Sequence, residues 1–219
     1  MRQITPDVHV AEAPQRFMGL EVGTRMTVLS LKGGLLVHSP IAIDPAAIAH
    51  LGEPRWVIAP NLLHHLYVGP WAESGMEAWA PDGLQEKRAD LSFTGVLRQG
   101  DPHPFGDEIE VLPTRSFSLT NELVLLHKPS KTLLVSDLVY NFPSSAPWTT
   151  RVAMRCMCGY PGCSTSLLER FGMNHKIAKE ELSVIAGWDF DRIIMAHGEV
   201  LERGGNKALR DAFAWLGAL

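Results

Sequence analysis

The chain has 219 residues, with 20 Lys+Arg against 24 Asp+Glu and a formal charge of −4; this size suits one domain with a sizeable core, and the charge balance offers no broad basic face for nucleic acid. Apolar residues are 46% and charged residues 20% of the chain, which excludes disordered, collagen-like and mucin-like classes. No apolar run approaches the roughly 18 residues of a membrane helix.

In chain order, Met26–Leu31 and Leu35–His38 are short apolar runs around Lys32-Gly33-Gly34, which predicts a β-hairpin because consecutive glycines tolerate positive φ. Pro45–Leu51 predicts a short helix, and Arg55–Ala59 a buried strand ending at Pro60-Asn61, where Asn61 can cap a helix. Leu63, Tyr67 and Trp71 recur at helical spacing, so a helix is expected from about 62 to 74 with His64 and His65 in its first turn. Met76–Ala80 reads as a strand, and the polar stretch to about 106 as loop with room for one short helix. Glu108–Leu112, Glu122–His127 and Thr132–Ser136 read as three strands, the last two joined by a hairpin-like turn at Lys128–Lys131. Residues 141–160 read as an irregular loop rich in Pro, Ser, Trp and Arg, a candidate substrate-facing or interface segment. Two helices are expected after it, one capped by Asn174 with Ile177, Ala178, Leu182 and Ile185 as its buried stripe. Asp191–Ala196 is a last strand stopped by His197-Gly198, and Lys207–Leu216 a terminal helix with Leu209, Ala212, Phe213 and Leu216 on one face. With no internal repeat and no linker, residues 1–219 read as a single domain.

Three segments place a side chain able to bind metal or move a proton just beyond the end of an apolar strand. These are His64 and His65 after Arg55–Ala59, Asp137 after Leu133–Ser136, and His197 after Ile193–Ala196. Strands lying side by side with their carboxyl ends on one edge would bring these groups together. Neutral imidazoles with a carboxylate are a ligand set for zinc or iron, and such a site lowers the pKa of a bound water.

Over nearly the whole chain, this order resembles the metallo-β-lactamase-like superfamily: an apolar strand, a His-bearing segment, Leu134-Val-Ser136-Asp137, then Ile193-Ile-Met-Ala196-His197-Gly198 and a last helix. The resemblance implies an α+β fold, a four-layer αββα sandwich. By position, Asp137 stands where that family has a bridging aspartate and His197 where it has its last metal histidine. The first family motif, His-x-His-x-Asp-His, is eroded. Read without gaps, Asn61, Leu63, His65 and Leu66 occupy its ligand places; one inserted residue instead puts His64 on the second histidine. Residues 112–120 offer no histidine for the third motif, Ser116 lies there instead, and His38 replaces an early aspartate. Two divalent ions need more carboxylates and imidazoles than this chain supplies.

The expectation is therefore a hydrolase-like protein with at most one zinc, iron or manganese ion, held by His64 or His65 with Asp137 and His197. Asp137 and His65 are the candidate catalytic groups, acting on a small ester, lactone or phosphoester. The alternative is a binding or structural protein that keeps the sandwich without metal. Cys156, Cys158 and Cys163 form a C-x-C-x₄-C cluster, open to a structural zinc, to redox chemistry or to simple burial. The odd cysteine count and the start Met1-Arg-Gln-Ile-Thr-Pro-Asp7, which lacks a secretory pattern, point to the cytoplasm. Neither a membrane nor nucleic acid is expected as a partner.

Overall fold

A computed structural model describes residues 1–217. The first half runs through β1 (Arg2–Thr5), β2 (Val8–Ala13), the short pair β3 (Arg16–Phe17) and β4 (Leu20–Glu21), β5 (Thr24–Leu31) and β6 (Gly34–His38). A 3-10 helix at Pro45–Leu51 leads to β7 (Pro54–Ile58), α1 (Val68–Glu73), β8 (Glu77–Pro81), α2 (Leu84–Lys87) and β9 (Gly95–Leu97). The second half contains β10 (Ile109–Pro113), β11 (Leu123–His127), β12 (Thr132–Leu134), α3 (Trp148–Cys156), α4 (Leu167–Gly172), α5 (His175–Ala186), β13 (Arg192–Ile194) and α6 (Gly205–Ala212).

One sheet has seven strands in the order β1-β2-β5-β6-β7-β8-β9; the other has four, β10-β11-β12-β13. The period of two along each strand divides the apolar side chains between two layers. Leu29, Leu36, Trp56 and Ile58 of the large sheet meet Leu123, Leu125, Leu134 and Ile194 of the small one in a core between the sheets. On the outer face of the large sheet, Met26, Val28, Leu35, Val37 and Val57 pack against Ile48, Val68, Trp71 and Leu84. Outside the small sheet, Val124, Leu126, Leu133 and Ile193 pack against Ala178, Leu182, Ile185 and Leu209. Helices, sheet, sheet, helices: this is the αββα sandwich.

Asn174 caps α5 as expected, its side chain accepting from the Ile177 amide. Three local expectations are corrected. The helix expected over 62–74 forms only at Val68–Glu73, preceded by a turn in which the Asn61 side chain accepts from the Leu63 and His64 amides. The segment expected to be irregular over 141–160 contains α3, whose buried Thr150 donates to the Glu21 carbonyl at 2.9 Å. The loop before residue 106 includes β9, a short parallel edge strand on β8.

The pairs β6–β7 and β12–β13 are parallel. Each delivers two chain segments to the same rim: Ser39 and Asn61 from the large sheet, Asp137 and His197 from the small one. Two backbone bonds tie these loops across the sheets, Leu123 N to Pro60 O at 2.7 Å and Leu62 N to Thr120 O at 2.8 Å.

Candidate metal centre

At this rim His64, Asp137 and His197 converge, with one ligand atom from each lying within 4.8 Å of the others. The two imidazole Nε2 atoms are 3.2 Å apart. His197 Nε2 lies 3.3 Å from Asp137 Oδ1, and His64 Nε2 lies 3.6 Å from Asp137 Oδ2. All three side chains are largely buried.

Both rings are fixed from behind. His197 Nδ1 is 2.7 Å from the Gly23 carbonyl, an acceptor only, so that nitrogen carries a proton and Nε2 presents its lone pair when the ring is neutral. His64 Nδ1 is 3.1 Å from Ser39 Oγ, a group able to donate or accept. The His197 turn is clamped further by Arg25, whose buried guanidinium donates to the carbonyls of Met195 and Gly198 and pairs with Glu12 at 2.8 Å. Gly198 has φ +91°, and a Cβ there would lie 2.2 Å from the Asn141 carbonyl oxygen, so this turn requires glycine.

Asp137 is held by two partners. Buried Asn61 donates from Nδ2 to Asp137 Oδ2 at 2.7 Å, while its Oδ1 accepts from the amides of Leu63 and His64. Beneath the strand end, the buried Glu122 carboxylate accepts from Ser136 N at 2.6 Å and from Asp137 N at 2.8 Å. Burial and the Asp137 charge push the Glu122 carboxyl up to about 8, against the pull of those two amides. Burial also works to raise Asp137, but the adjacent His64 and His197 outweigh it and hold its carboxyl well below the usual range. Tyr140 is pushed well above the usual phenol range by burial and by Asp137 and Glu169, and its hydroxyl donates to Glu169 at 3.0 Å.

These donors fit a small divalent cation. Ligand bonds of about 2.0–2.2 Å in tetrahedral zinc sites separate neighbouring donors by about 3.3–3.6 Å, close to the 3.2 Å between the two Nε2 atoms and the 3.3 Å from His197 Nε2 to Asp137 Oδ1. The outward Nδ1 contacts are the kind of outer-shell bonds that orient metal-binding imidazoles.

His65 lies outside the cluster: its Nδ1 faces Arg88 Nη1 at 2.8 Å, and burial together with Arg88 and Lys87 lowers its pKa. Of the adjacent pair, His64 is the one that faces Asp137. Ser116 does not enter the site; its amide binds Glu181 and its carbonyl accepts from Asn174 N on the helical side. Among the described residues no second group of three possible metal ligands occurs, and the thiols are unpaired: Cys156 and Cys158 are exposed, and burial raises Cys163 to about 11. Ser39, Glu122 and Arg25 are supporting residues that carry no signal in the sequence beyond lying within or bordering apolar strands, whereas Asn61 is legible there only as a helix cap and as an eroded motif position.

An open cleft of about 1090 Å³ lies beside the His197 turn, lined by Gly23, Arg25, Phe142, Pro147 and Gly198 with the β3–β4 hairpin across it. None of His64, Asp137 and His197 lines it.

No family profile matches the chain, and no curated protein sequence does. Solved structures do. DIM-1 metallo-β-lactamase exposed to ceftazidime superposes with a TM-score of 0.68 at 15% identity, over 96% of this chain and 94% of that one. A metallo-β-lactamase from Pontibacter korlensis gives 0.66 at 13%, over 98% and 97%. FIM-1 from Pseudomonas aeruginosa, in its mono-zinc form, gives 0.63 at 10%, over 98% and 95%. Nearly full-length agreement at such low identity shows shared architecture, and the chain has the metallo-β-lactamase fold in a form far diverged in sequence.

Proposed function

We propose that this protein is a metal-dependent hydrolase working with a single divalent ion, and that His64, Asp137 and His197 hold that ion. The observation that carries this reading is the convergence of two imidazole Nε2 atoms and one carboxylate with both Nδ1 atoms tied outward. Bound there, the ion would supply Lewis-acid polarisation and an acidified water, the chemistry needed to open an ester, lactone or phosphoester. The nitrogen and oxygen donors suit zinc first, then iron or manganese. Asp137, ionised beside two histidines, would be the anionic ligand of the ion. His65, engaged with Arg88, has no part in this chemistry.

The experiment is metal analysis of the purified protein, followed by chelation and reconstitution with zinc, iron or manganese against p-nitrophenyl acetate, a simple lactone and bis(p-nitrophenyl) phosphate. The reading expects uptake of one ion and hydrolysis of at least one probe that is lost on chelation. A protein that takes up none of the three ions rejects it. The alternative, a metal-free binding protein, draws support from Asn61 and Leu63 standing at ligand places of the first motif, and it expects indifference to chelators.

A further inference from the structure

We propose that Cys156 and Cys158, at the C-terminal end of α3, form a separate site for one soft monovalent cation, Cu(I). The site is independent of the His64 centre and of the hydrolase reading. Four of the five residues 154–158, Met-Arg-Cys-Met-Cys, carry sulfur, and the thiols of Cys156 and Cys158 are both exposed. Cys163 differs: it is half-buried against the core outside the small sheet, and burial raises its thiol to about 11. The C-x-C-x₄-C cluster is thus an open pair and a packing residue.

The helix end holds the pair together. Cys158 N donates to Arg155 O at 3.1 Å and Gly159 N to Met154 O at 2.7 Å, the two bonds of a Schellman closure. The left-handed position of that closure is usually glycine, because a Cβ is disfavoured there; here it is Cys158, with φ +61°. Capping needs no sulfur at this place. The Met154 side chain lies against Gly159, which brings a thioether to the same turn. Two residues along a chain span at most about 7 Å, so rotation about the Cα–Cβ bonds can bring both thiols onto one ion.

The donor set selects the ion. Thiolates and thioethers favour Cu(I), which is satisfied by two ligands in line. Structural zinc takes four, and among the described residues no group of three His, Cys, Asp or Glu donors converges other than His64, Asp137 and His197. Residues 142–168 contain no Asp, Glu or His, and their two charges are Arg151 and Arg155 of α3. Such surroundings disfavour a divalent cation and suit a bis-thiolate complex. On binding, each thiol releases one proton and forms one Cu–S bond, and copper stays Cu(I). The complex carries one negative charge, with two guanidinium groups on the same helix to balance it.

The test is anaerobic titration of the reduced full chain with Cu(I) in competition with bicinchoninate, with stoichiometry read by native mass spectrometry. The wild type is expected to take up one Cu(I) per chain at this pair, with a thiolate-to-copper charge-transfer band in the ultraviolet. Cys156→Ser and Cys158→Ser are each expected to weaken that binding by more than about 100-fold, beyond the worth of an outer-shell partner. Cys163→Ser should bind as the wild type does. Because the pair is exposed, melting temperatures of C156S and C158S should match the wild type, and their zinc content should be unaltered. A wild type without Cu(I), undiminished affinity in C156S or C158S, loss of the ion in C163S alone, or one ion shared between two chains overturns the proposal. Displacement of Cu(I) from the pair by zinc also overturns it. Failure of the hydrolase reading changes none of these outcomes.

Discussion

The Nε2 atoms of His64 and His197 face each other at 3.2 Å, and the two rings differ in how freely they can choose a tautomer. His197 is committed by the Gly23 carbonyl to keep its proton on Nδ1. His64 is paired with the Ser39 hydroxyl, which can turn to donate or accept. Without a cation, His64 relieves the clash of lone pairs by pointing Nε2–H at His197; with one, the proton moves to Nδ1 and Ser39 accepts it. Ser39→Ala is therefore expected to weaken zinc binding about 10–100-fold without lowering its stoichiometry. Chelator competition measures this, and an affinity equal to the wild type would show that Ser39 does not orient the ring.

Alanine at His64, Asp137 or His197 removes a ligand outright. Each variant is expected to lose zinc affinity by more than about 100-fold, beyond what outer-shell partners are worth. His65→Ala is the control: its ring sits against Arg88, so zinc content by elemental analysis should match the wild type. Loss of zinc in H65A together with retention in H64A would reverse the assignment.

The turn that presents His197 depends on Arg25 and Gly198. Arg25→Met keeps an unbranched apolar stem but leaves the Met195 and Gly198 carbonyls without their donor, an expected cost of about 2–4 kcal/mol. Gly198→Ala forces a methyl group onto the Asn141 carbonyl at a φ of +91°, with an expected cost of about 3 kcal/mol or more. Urea denaturation reads both. A G198A protein as stable as the wild type would mean that the turn can open without loss.

His38 predicts an acid limb in stability. Burial first, and the charge of His64 second, lower its pKa from 6.5 to about 3. Between those values the unfolded chain binds a proton that the folded chain does not, so unfolding is favoured as pH falls through this window. The contribution is fully present above about 6.5 and is lost towards pH 3, on the order of a few kcal/mol. His38→Leu should reduce the pH dependence of the unfolding free energy between pH 4 and 6 by up to one proton's slope. An unaltered slope in that variant would refute the assignment to His38.

Much of the sandwich is legible in the chain because strands and long helices carry their own periodicity. Thr24–Leu31, Leu123–His127 and the Asn174-capped α5 are local patterns of apolar spacing and caps, and they fold where those patterns lie. Short elements were less legible. α3 is flanked by prolines, is rich in threonine and arginine, and buries only Thr150, while β9 is three residues on an edge. α1 starts at Val68, later than helical spacing alone assigned, after a turn in which Asn61 accepts from two amides.

The sequence by itself determined that the His64-His65 pair, Asp137 and His197 follow strand ends, since strand ends are set by local apolar runs. It could not decide between His64 and His65, neighbours in an irregular turn whose ring directions depend on Ser39, Arg88 and Asn61, residues 3 to 25 positions away. Nor could it show that Asn61 lies on Asp137, 76 positions along the chain. Those contacts arise when two separately patterned sheets close over a shared core, and only tertiary packing fixes which side chains then meet at the rim.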